Sequence, residues 1–237
     1  MKKFVILFAA AMLLLGMTGQ AMASFAQGDL IQVIYSGVSG QETATDEGSI
    51  ASLSTTHDTF FANLASLGAG ATLANTSVAY FAWDQSLGTS GFGQVYTSGN
   101  LGTGQNGSNS ASATFDNAYS ITTGAYAAAG GSAVTLATNN PASYVSTLDI
   151  NDTAPGAMAG FTSPANTAEA SLAGGTADQT FYYYDPHASG GRGSSNTLTG
   201  AAQIADITTT TTPVPPSVLL MGSGLLGLIG IRRKHSA

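Results

Sequence analysis

The sequence predicts an all-β fold, a single antiparallel β-sandwich-like domain with one short helix, an N-terminal signal helix and a C-terminal transmembrane helix. Short runs of β-branched and aromatic residues recur along residues 24–207, and clusters of Gly, Asn and Ser separate them. Short strands at this spacing favour a sandwich over a parallel α/β sheet. The 237 residues include no cysteine, which excludes a disulfide framework, a cysteine-ligated metal and a thiol nucleophile.

Eight segments have the composition of strands. The first, residues 30–35, is short and rich in β-branched and aromatic side chains, and it stops at Ser36 and Gly37. A Gly- and Asn-rich stretch at 97–107 is predicted to be a loop. The predicted strands are residues 30–35, 77–83, 92–96, 112–115, 132–137, 144–150, 180–184 and 197–207.

One short helix is predicted between position 55 or 56, where a threonine can cap it, and residue 67. Phe60, Phe61, Leu64 and Leu67 recur at helical spacing, and Gly68 follows as a terminator. Residues 121–131 are rich in alanine and fit either a helix or a strand of small residues.

Charge is distributed unevenly along the chain. Five of the six basic residues lie at the two ends, whereas all 13 acids lie between Asp29 and Asp206. The interior therefore carries one positive charge, Arg192, against 13 negative charges, a net of −12. Such a body repels phosphate, so nucleic acid is excluded as a partner.

The N-terminus has the pattern of a secretory signal. Two lysines near the start precede an apolar run at residues 4–15, which is shorter than the ~20 residues of a membrane span. Ala21 and Ala23 form a small-x-small cleavage site before Ser24. Residues 1–23 are therefore predicted to be a signal peptide of an exported protein.

The C-terminus combines a threonine-rich linker at 208–212, a proline motif, an apolar stretch at 218–231 and a basic cluster. Prolines prevent a helix before Ser217, after which the apolar stretch can form a short transmembrane helix. Because Lys and Arg prefer the cytoplasmic side, the acidic body is placed across the membrane. The threonines, extended and accessible, are candidates for O-linked sugar. The motif is Pro213, Val214, Pro215 and Pro216, and the basic membrane stop is Arg232, Arg233 and Lys234.

This tripartite segment, residues 213–235, resembles the PEP-CTERM sorting signal, although Val214 stands where that family usually has Glu. The resemblance implies a Gram-negative source and an exosortase as partner. It also implies transient anchoring in the inner membrane, followed by release to the cell surface or an exopolysaccharide matrix. The chain would then be a substrate of the processing enzyme, and its own role would be structural or interactive, without catalysis and without a cofactor.

An alternative function is an extracellular carbohydrate-binding module. Tyr182, Tyr183 and Tyr184 alternate faces on a predicted strand, so at least one is expected to point outward. An exposed tyrosine can stack on a sugar ring, and exopolysaccharide would then be the ligand.

A secreted hydrolase is the third hypothesis. Asp185 and His187 place an acid and a base close together beside several serines, but the G-x-S-x-G motif is missing from the sequence. Histidine is too scarce for a transition-metal site. Residues 149–153 offer alternating oxygen ligands, yet Ala154 replaces the glycine of a calcium loop, so a solvated turn is expected.

Overall fold

A computed structural model shows a mostly β protein, which confirms the predicted strand-rich class. It describes residues 25–53, 57–85, 93–99, 106–149, 157–160, 168–184, 197–199 and 202–211. The strands are β1 (Asp29–Ser36), β2 (Gln41–Ser49), β3 (Asp58–Ala62), β4 (Thr76–Asp84), β5 (Gln94–Gly99), β6 (Asn106–Ser108), β7 (Ala133–Ala137), β8 (Glu169–Ser171), β9 (Thr176–Tyr184), β10 (Thr197–Thr199) and β11 (Ala202–Thr211).

One large curled sheet contains nine of these strands. Its order is β3-β11-β9-β5-β4-β1-β2-β7, with β8 pairing on β4, while β6 and β10 form a separate ribbon. All pairs are antiparallel except β3 and β11, so the sheet is mixed where the sequence predicted antiparallel strands only. The parallel pair arises because the chain returns to the sheet edge at Asp58 in the same direction in which β11 later runs.

The sheet divides at β4, whose neighbour on one side changes halfway along its length. β5 pairs with residues 81–84, and β8 pairs with residues 77–79. Tyr80 lies at the division, and its N–H donates to Ser98 Oγ at 2.8 Å. The same hydroxyl donates to the carbonyl of Ala168 at 2.7 Å, so it joins the two branches. A side chain thus replaces the ladder bonds that the division interrupts.

One face of the sheet is covered by a long helix, α1 (Asn109–Ala129), and by the short helix α2 (Tyr144–Thr147). Phe115, Tyr119 and Tyr126 repeat at helical spacing and are buried against the sheet. The helix ends before Gly130, whose positive φ of 76° suits the residue after a helix C-terminus. We call this side the helix face.

The other face is covered by the sheet's own curvature. Phe60 on β3 packs against Tyr80 on β4 with ring centroids 5.7 Å apart. Thr209 of β11 reaches the Tyr80 hydroxyl at 2.6 Å. Strands far apart in the sheet order therefore meet across this core, which we call the curled face.

The predicted helix ending at residue 67 is wrong. Residues 58–62 form β3, and only Leu64–Leu67 make a 3-10 turn, which Asn63 caps. The pattern that suggested a helix also fits a strand, because Phe60 is half-buried while Phe61 is 61% exposed. Pairing with β11 makes the segment a strand, in which side chains alternate with a period of two residues, and excludes the helical period of about 3.6 residues. Gly68 does terminate the turn, with a φ of 75°.

Two predicted strands are helical instead. Residues 112–115 belong to α1, which also resolves the ambiguous 121–131 segment as helix up to Ala129. Residues 144–147 form α2, capped by Ser143, because a buried carboxylate described below accepts from its first amides. Parts of the predicted loop at 97–107 are strand, since β5 extends to Gly99 and β6 begins at Asn106.

The sequence missed β2, β3, β6 and β8. In β2 the residues 41–49 are polar except for Ala44, so neither apolar alternation nor a β-branched aliphatic run marked the strand. It is nevertheless inner in the sheet, paired with β1 on one side and β7 on the other. Long-range pairing made a strand of a segment with little local signal.

Candidate functional site

The C-terminal segment leaves the folded body from the end of β11. Thr208–Thr211 were predicted to form a linker, but they continue this strand and pair with both β9 and β3. Thr209 is buried, and the N–H of Thr211 donates to the carbonyl of Gly175 at 3.2 Å. The linker boundary at 208 is therefore wrong, and buried Thr209 is not an accessible acceptor for O-linked sugar. Pro213 follows two residues after the last residue of the strand.

Most residues predicted to act in export and sorting lie outside the described ranges. These are Ala21, Ala23, Ser24, Pro213, Val214, Pro215, Pro216, Arg232, Arg233 and Lys234. Asp185 and His187 of the hydrolase hypothesis lie outside them too, whereas His57 is described and exposed. Within the part of the chain that is described, no helix has the length and apolar character needed to cross a bilayer.

The three consecutive tyrosines of β9 do not form an exposed platform. Tyr182 and Tyr184 are buried on the helix face. Tyr183 points to the other face and is half-buried, with its ring 6.2 Å from that of Tyr96. Tyr183 is thus the one member of the triplet that keeps part of its surface exposed, because β9 is an inner strand with packed side chains on both faces. Burial raises the pKa of the Tyr184 hydroxyl well above its ordinary range.

The most unusual chemical environment surrounds Glu42 on β2. This carboxylate is fully buried on the helix face, and three groups donate to it. They are the Tyr126 hydroxyl at 2.7 Å, the Tyr144 N–H at 2.8 Å and the Val145 N–H at 3.1 Å. Glu42 therefore fastens α1 and the start of α2 to the sheet.

Burial dominates the electrostatics of Glu42. Desolvation raises its pKa from 4.5 to about 7, against the lowering effect of the three hydrogen bonds, and nearby Asp149 adds to the rise. A second buried carboxylate, Glu169 on β8, accepts from the Tyr144 hydroxyl at 2.6 Å. The tyrosine thus links both carboxylates, since its N–H binds Glu42. Asp149, first considered for calcium, is itself buried at the end of α2.

This cluster has the geometry of a structural clamp. Its carboxylate oxygens are taken up by donors that hold helices, and Glu42 itself is out of contact with solvent. Among the described residues, no group of three or more His, Asp or Glu side chains could hold a metal ion. Nothing in the sequence singled out Glu42, because neither its neighbours nor its spacing match a motif.

An open cleft of about 390 Å³ lies at the end of the sheet opposite the Thr211 terminus. Ser49, Asp84 and Tyr96 are the lining residues with polar side chains, and the Tyr96 hydroxyl donates to Gln94 Oε1 at 2.7 Å. Ile50, Leu53 and Ile204 form apolar walls. Its described lining contains a single carboxylate, whereas glycoside hydrolysis ordinarily needs two.

No protein-family model, curated protein or solved structure matches this chain.

Proposed function

We propose that this chain is an exported protein that its C-terminal segment holds briefly in the inner membrane of a Gram-negative cell. An exosortase-type enzyme cleaves it near Pro213–Val214–Pro215 and releases it to the cell surface or the exopolysaccharide matrix. Its role there is structural or interactive, and it is the substrate of the processing reaction. The signal helix at 1–23 and the transmembrane helix at 218–231 belong to this proposal.

The observation that carries the proposal is the complete tripartite segment placed directly after the last strand. β11 ends at Thr211, and all of the proline motif, the apolar stretch and the basic cluster follow it. The folded body therefore uses none of the sorting segment for its own described sheet. If the proline motif lay within a strand of the sheet, cleavage there would remove part of the folded body.

Proline chemistry accounts for the position of the boundary. Pro213, Pro215 and Pro216 lack an N–H, so they cannot extend an inner strand that pairs on both sides. The residue before a proline is also held away from helical geometry. The sequence of the motif therefore favours an extended backbone, which is the form that a processing enzyme can bind.

The distribution of charge favours export in the same orientation. The basic residues of the two ends lie outside the body, and the described residues include no Lys or Arg at all. The positive-inside rule keeps the ends in the cytoplasm and allows the acidic body to cross. For the body itself, Tyr182 and Tyr184 are buried, so the carbohydrate-binding alternative depends on half-buried Tyr183 alone.

The test uses variants of the full chain in a host that contains an exosortase. Replacing Arg232, Arg233 and Lys234 with glutamine removes the membrane stop and should abolish retention and processing. A second variant, Pro215→Ala with Pro213→Ala, should leave membrane retention intact while cleavage is lost. Fractionation reports retention, and intact mass of the released protein reports both cleavage sites.

Arg192→Gln is the matched control, because it removes the remaining cation of the body without touching the segment. It should be processed like the unmodified chain. Unchanged retention and processing in the triple-glutamine variant would refute the proposal.

A further inference from the structure

We propose that one rim of the body, the exit rim, lies against the lipid headgroups of the membrane that holds the C-terminal segment. The exit rim consists of the turns at residues 37–40, 68–75 and 172–175, together with Thr211. This inference rests on the proposed function, since it requires that the segment after Thr211 enters a bilayer. It adds a defined orientation of the body and a lipid-contacting surface.

Strand directions bring these turns to one end of the sheet. β11 runs towards the exit rim, and so does β1, which ends at the 37–40 turn. β4 and β9 run the opposite way, so the segments that precede them, 68–75 and 172–175, lie at the same end. Hydrogen bonds join the pieces: Thr211 N–H donates to Gly175 O, and Leu172 N–H donates to Thr76 O.

The exit rim carries no charged residue in any of its segments. The opposite rim, where β1 starts and β2 and β4 end, is acidic. Its carboxylates are Asp29, Asp46, Glu47 and Asp84, whereas Asp58 of the short strand β3 pairs with Ile207 in the middle of β11. β4 has nine residues, so its ends are about 30 Å apart, which exceeds the Debye length of about 8 Å at physiological salt. An anionic lipid surface at the exit rim is therefore screened from the acidic rim, and the acids closer to it include Asp178 and Asp58, which pair with Thr208 and Ile207. The reverse orientation would bring the larger group of four carboxylates against the lipid charges.

Two exposed apolar side chains lie at the outer surface of the exit rim. Val38 is 68% exposed and Leu73 is 36% exposed. A Val38 methyl carbon lies only 3.7 Å from where a side chain on Gly70 would begin, so the two turns are adjacent. Apolar side chains at a surface without charges are suited to the boundary between headgroups and acyl chains.

Side-chain hydrogen bonds connect the two turns that carry Val38 and Leu73. Asn75 Oδ1 accepts from Ser36 Oγ at 2.9 Å and from the Thr72 N–H at 2.8 Å. The Asn75 amide nitrogen donates to Gly70 O at 3.0 Å. Asn75 thus joins the start of the 37–40 turn to the 68–75 segment. These hydrogen bonds fix the backbone that carries Val38 and Leu73.

The length of chain after Thr211 keeps the rim close to the membrane. Six residues, 212–217, separate it from the apolar stretch, and they span at most about 20 Å when extended. Headgroup layers add roughly 5–8 Å to each side of the hydrocarbon core. The tether therefore holds the exit rim at or just above the headgroups.

The test places a fluorescent label at each rim of the full chain. Because the protein contains no cysteine, Val38→Cys and Gln27→Cys each create one attachment point. Both positions are exposed, and Gln27 lies at the acidic rim beside Gly28, whose N–H donates to Trp83 O. The labelled chains are isolated from a host without the processing enzyme and reconstituted in vesicles of phosphatidylethanolamine and phosphatidylglycerol that contain a nitroxide-headgroup lipid.

Quenching at position 38 should exceed quenching at position 27 by at least about threefold, because a nitroxide quenches only labels close to it and the two rims lie about 30 Å apart. A Leu73→Cys label should behave like the Val38→Cys label and serves as a second reporter should Val38→Cys disturb folding. Adding Val38→Asp to the Leu73→Cys chain should remove most of its excess quenching, while Gln27→Asp should leave it unchanged.

Vesicle flotation separates the two hypotheses. A chain that floats with vesicles but is quenched equally at both rims, or more at position 27, overturns the lipid-contacting rim and leaves the proposed function standing. A chain that does not float overturns the proposed function and the orientation with it. Circular dichroism of each labelled chain establishes that it is folded.

Discussion

The two faces of the sheet bury polar groups in different ways. On the helix face, the ionisable Glu42 accepts hydrogen bonds from α1 and α2. On the curled face, the Tyr80 hydroxyl accepts from Gln32 Nε2 at 2.7 Å and bonds to Thr209 at 2.6 Å. The curled face thus joins its strands with neutral groups, whereas the helix face uses a carboxylate.

The difference follows from what each face must hold. α2 is only four residues long, and its first amides are buried without intrahelical acceptors, so a carboxylate that accepts from two of them is an efficient partner. Strands that meet across the curled face already have their backbone groups paired, and they need only side-chain bonds of modest strength. Buried charge on the helix face makes that face the more sensitive to mutation and to pH.

The largest effect is expected for Glu42→Ala. The substitution leaves the Tyr126 hydroxyl and the amides of Tyr144 and Val145 buried without an acceptor. We expect a loss on the order of 4 kcal/mol in the free energy of unfolding, measured by urea denaturation. A loss below about 1 kcal/mol would mean that the helix face does not depend on the clamp.

The next effect is a dependence of stability on pH. The pKa of Glu42 is about 7 in the folded state and near 4.5 when unfolded, so the folded state binds the proton more tightly. The stabilisation is fully present below about pH 4.5 and is lost as the pH rises through 7, a change on the order of 3 kcal/mol. Burial raises the pKa of Glu47 and of Asp116 as well, so both act in the same direction.

Urea denaturation at a series of pH values from 5 to 8 measures this change. Glu42→Gln cannot titrate and should reduce the slope of the profile, leaving the contribution of half-buried Glu47, which Glu47→Gln removes in turn. A stability that rises over this range in the unmodified chain contradicts the assignment.

On the curled face, Phe60→Ala should destabilise the protein by about 2 kcal/mol, because the half-buried ring closes the sheet against Tyr80. Phe61→Ala, one residue further on the same strand, is the matched control. Its ring is 61% exposed, so a change within about 0.5 kcal/mol is expected. Thermal unfolding of the two variants compares them directly, and equal losses would show that the curl does not rest on Phe60.

The smallest effect is expected for Tyr80→Phe. It removes the hydroxyl that Gln32 and Thr209 share and retains the ring. We expect a loss of about 1–2 kcal/mol with little dependence on pH, since both remaining partners are neutral. A strong pH dependence of the loss, measured by denaturation at pH 5 and pH 8, would contradict the contrast between the faces.

The sequence by itself determined the strands that carry a local signal, including those that became β1, β4, β7 and β9. It also determined the separation of charge between body and ends, and the terminal patterns on which the proposed function rests. These properties could be predicted because they depend on neighbouring residues: alternation, turn-forming glycines and the order of charges along the chain.

Only the tertiary structure decided the long helix α1, the parallel strand β3 and the inclusion of Thr208–Thr211 in the sheet. The helix is rich in Ser, Thr and Ala and forms where its aromatic stripe docks on the sheet. The threonines became an inner strand because β9 and β3 pair with them from both sides. Glu42 gained its role from α1 and α2, whose contacts lie far along the chain, and such long-range partners leave no mark in local sequence.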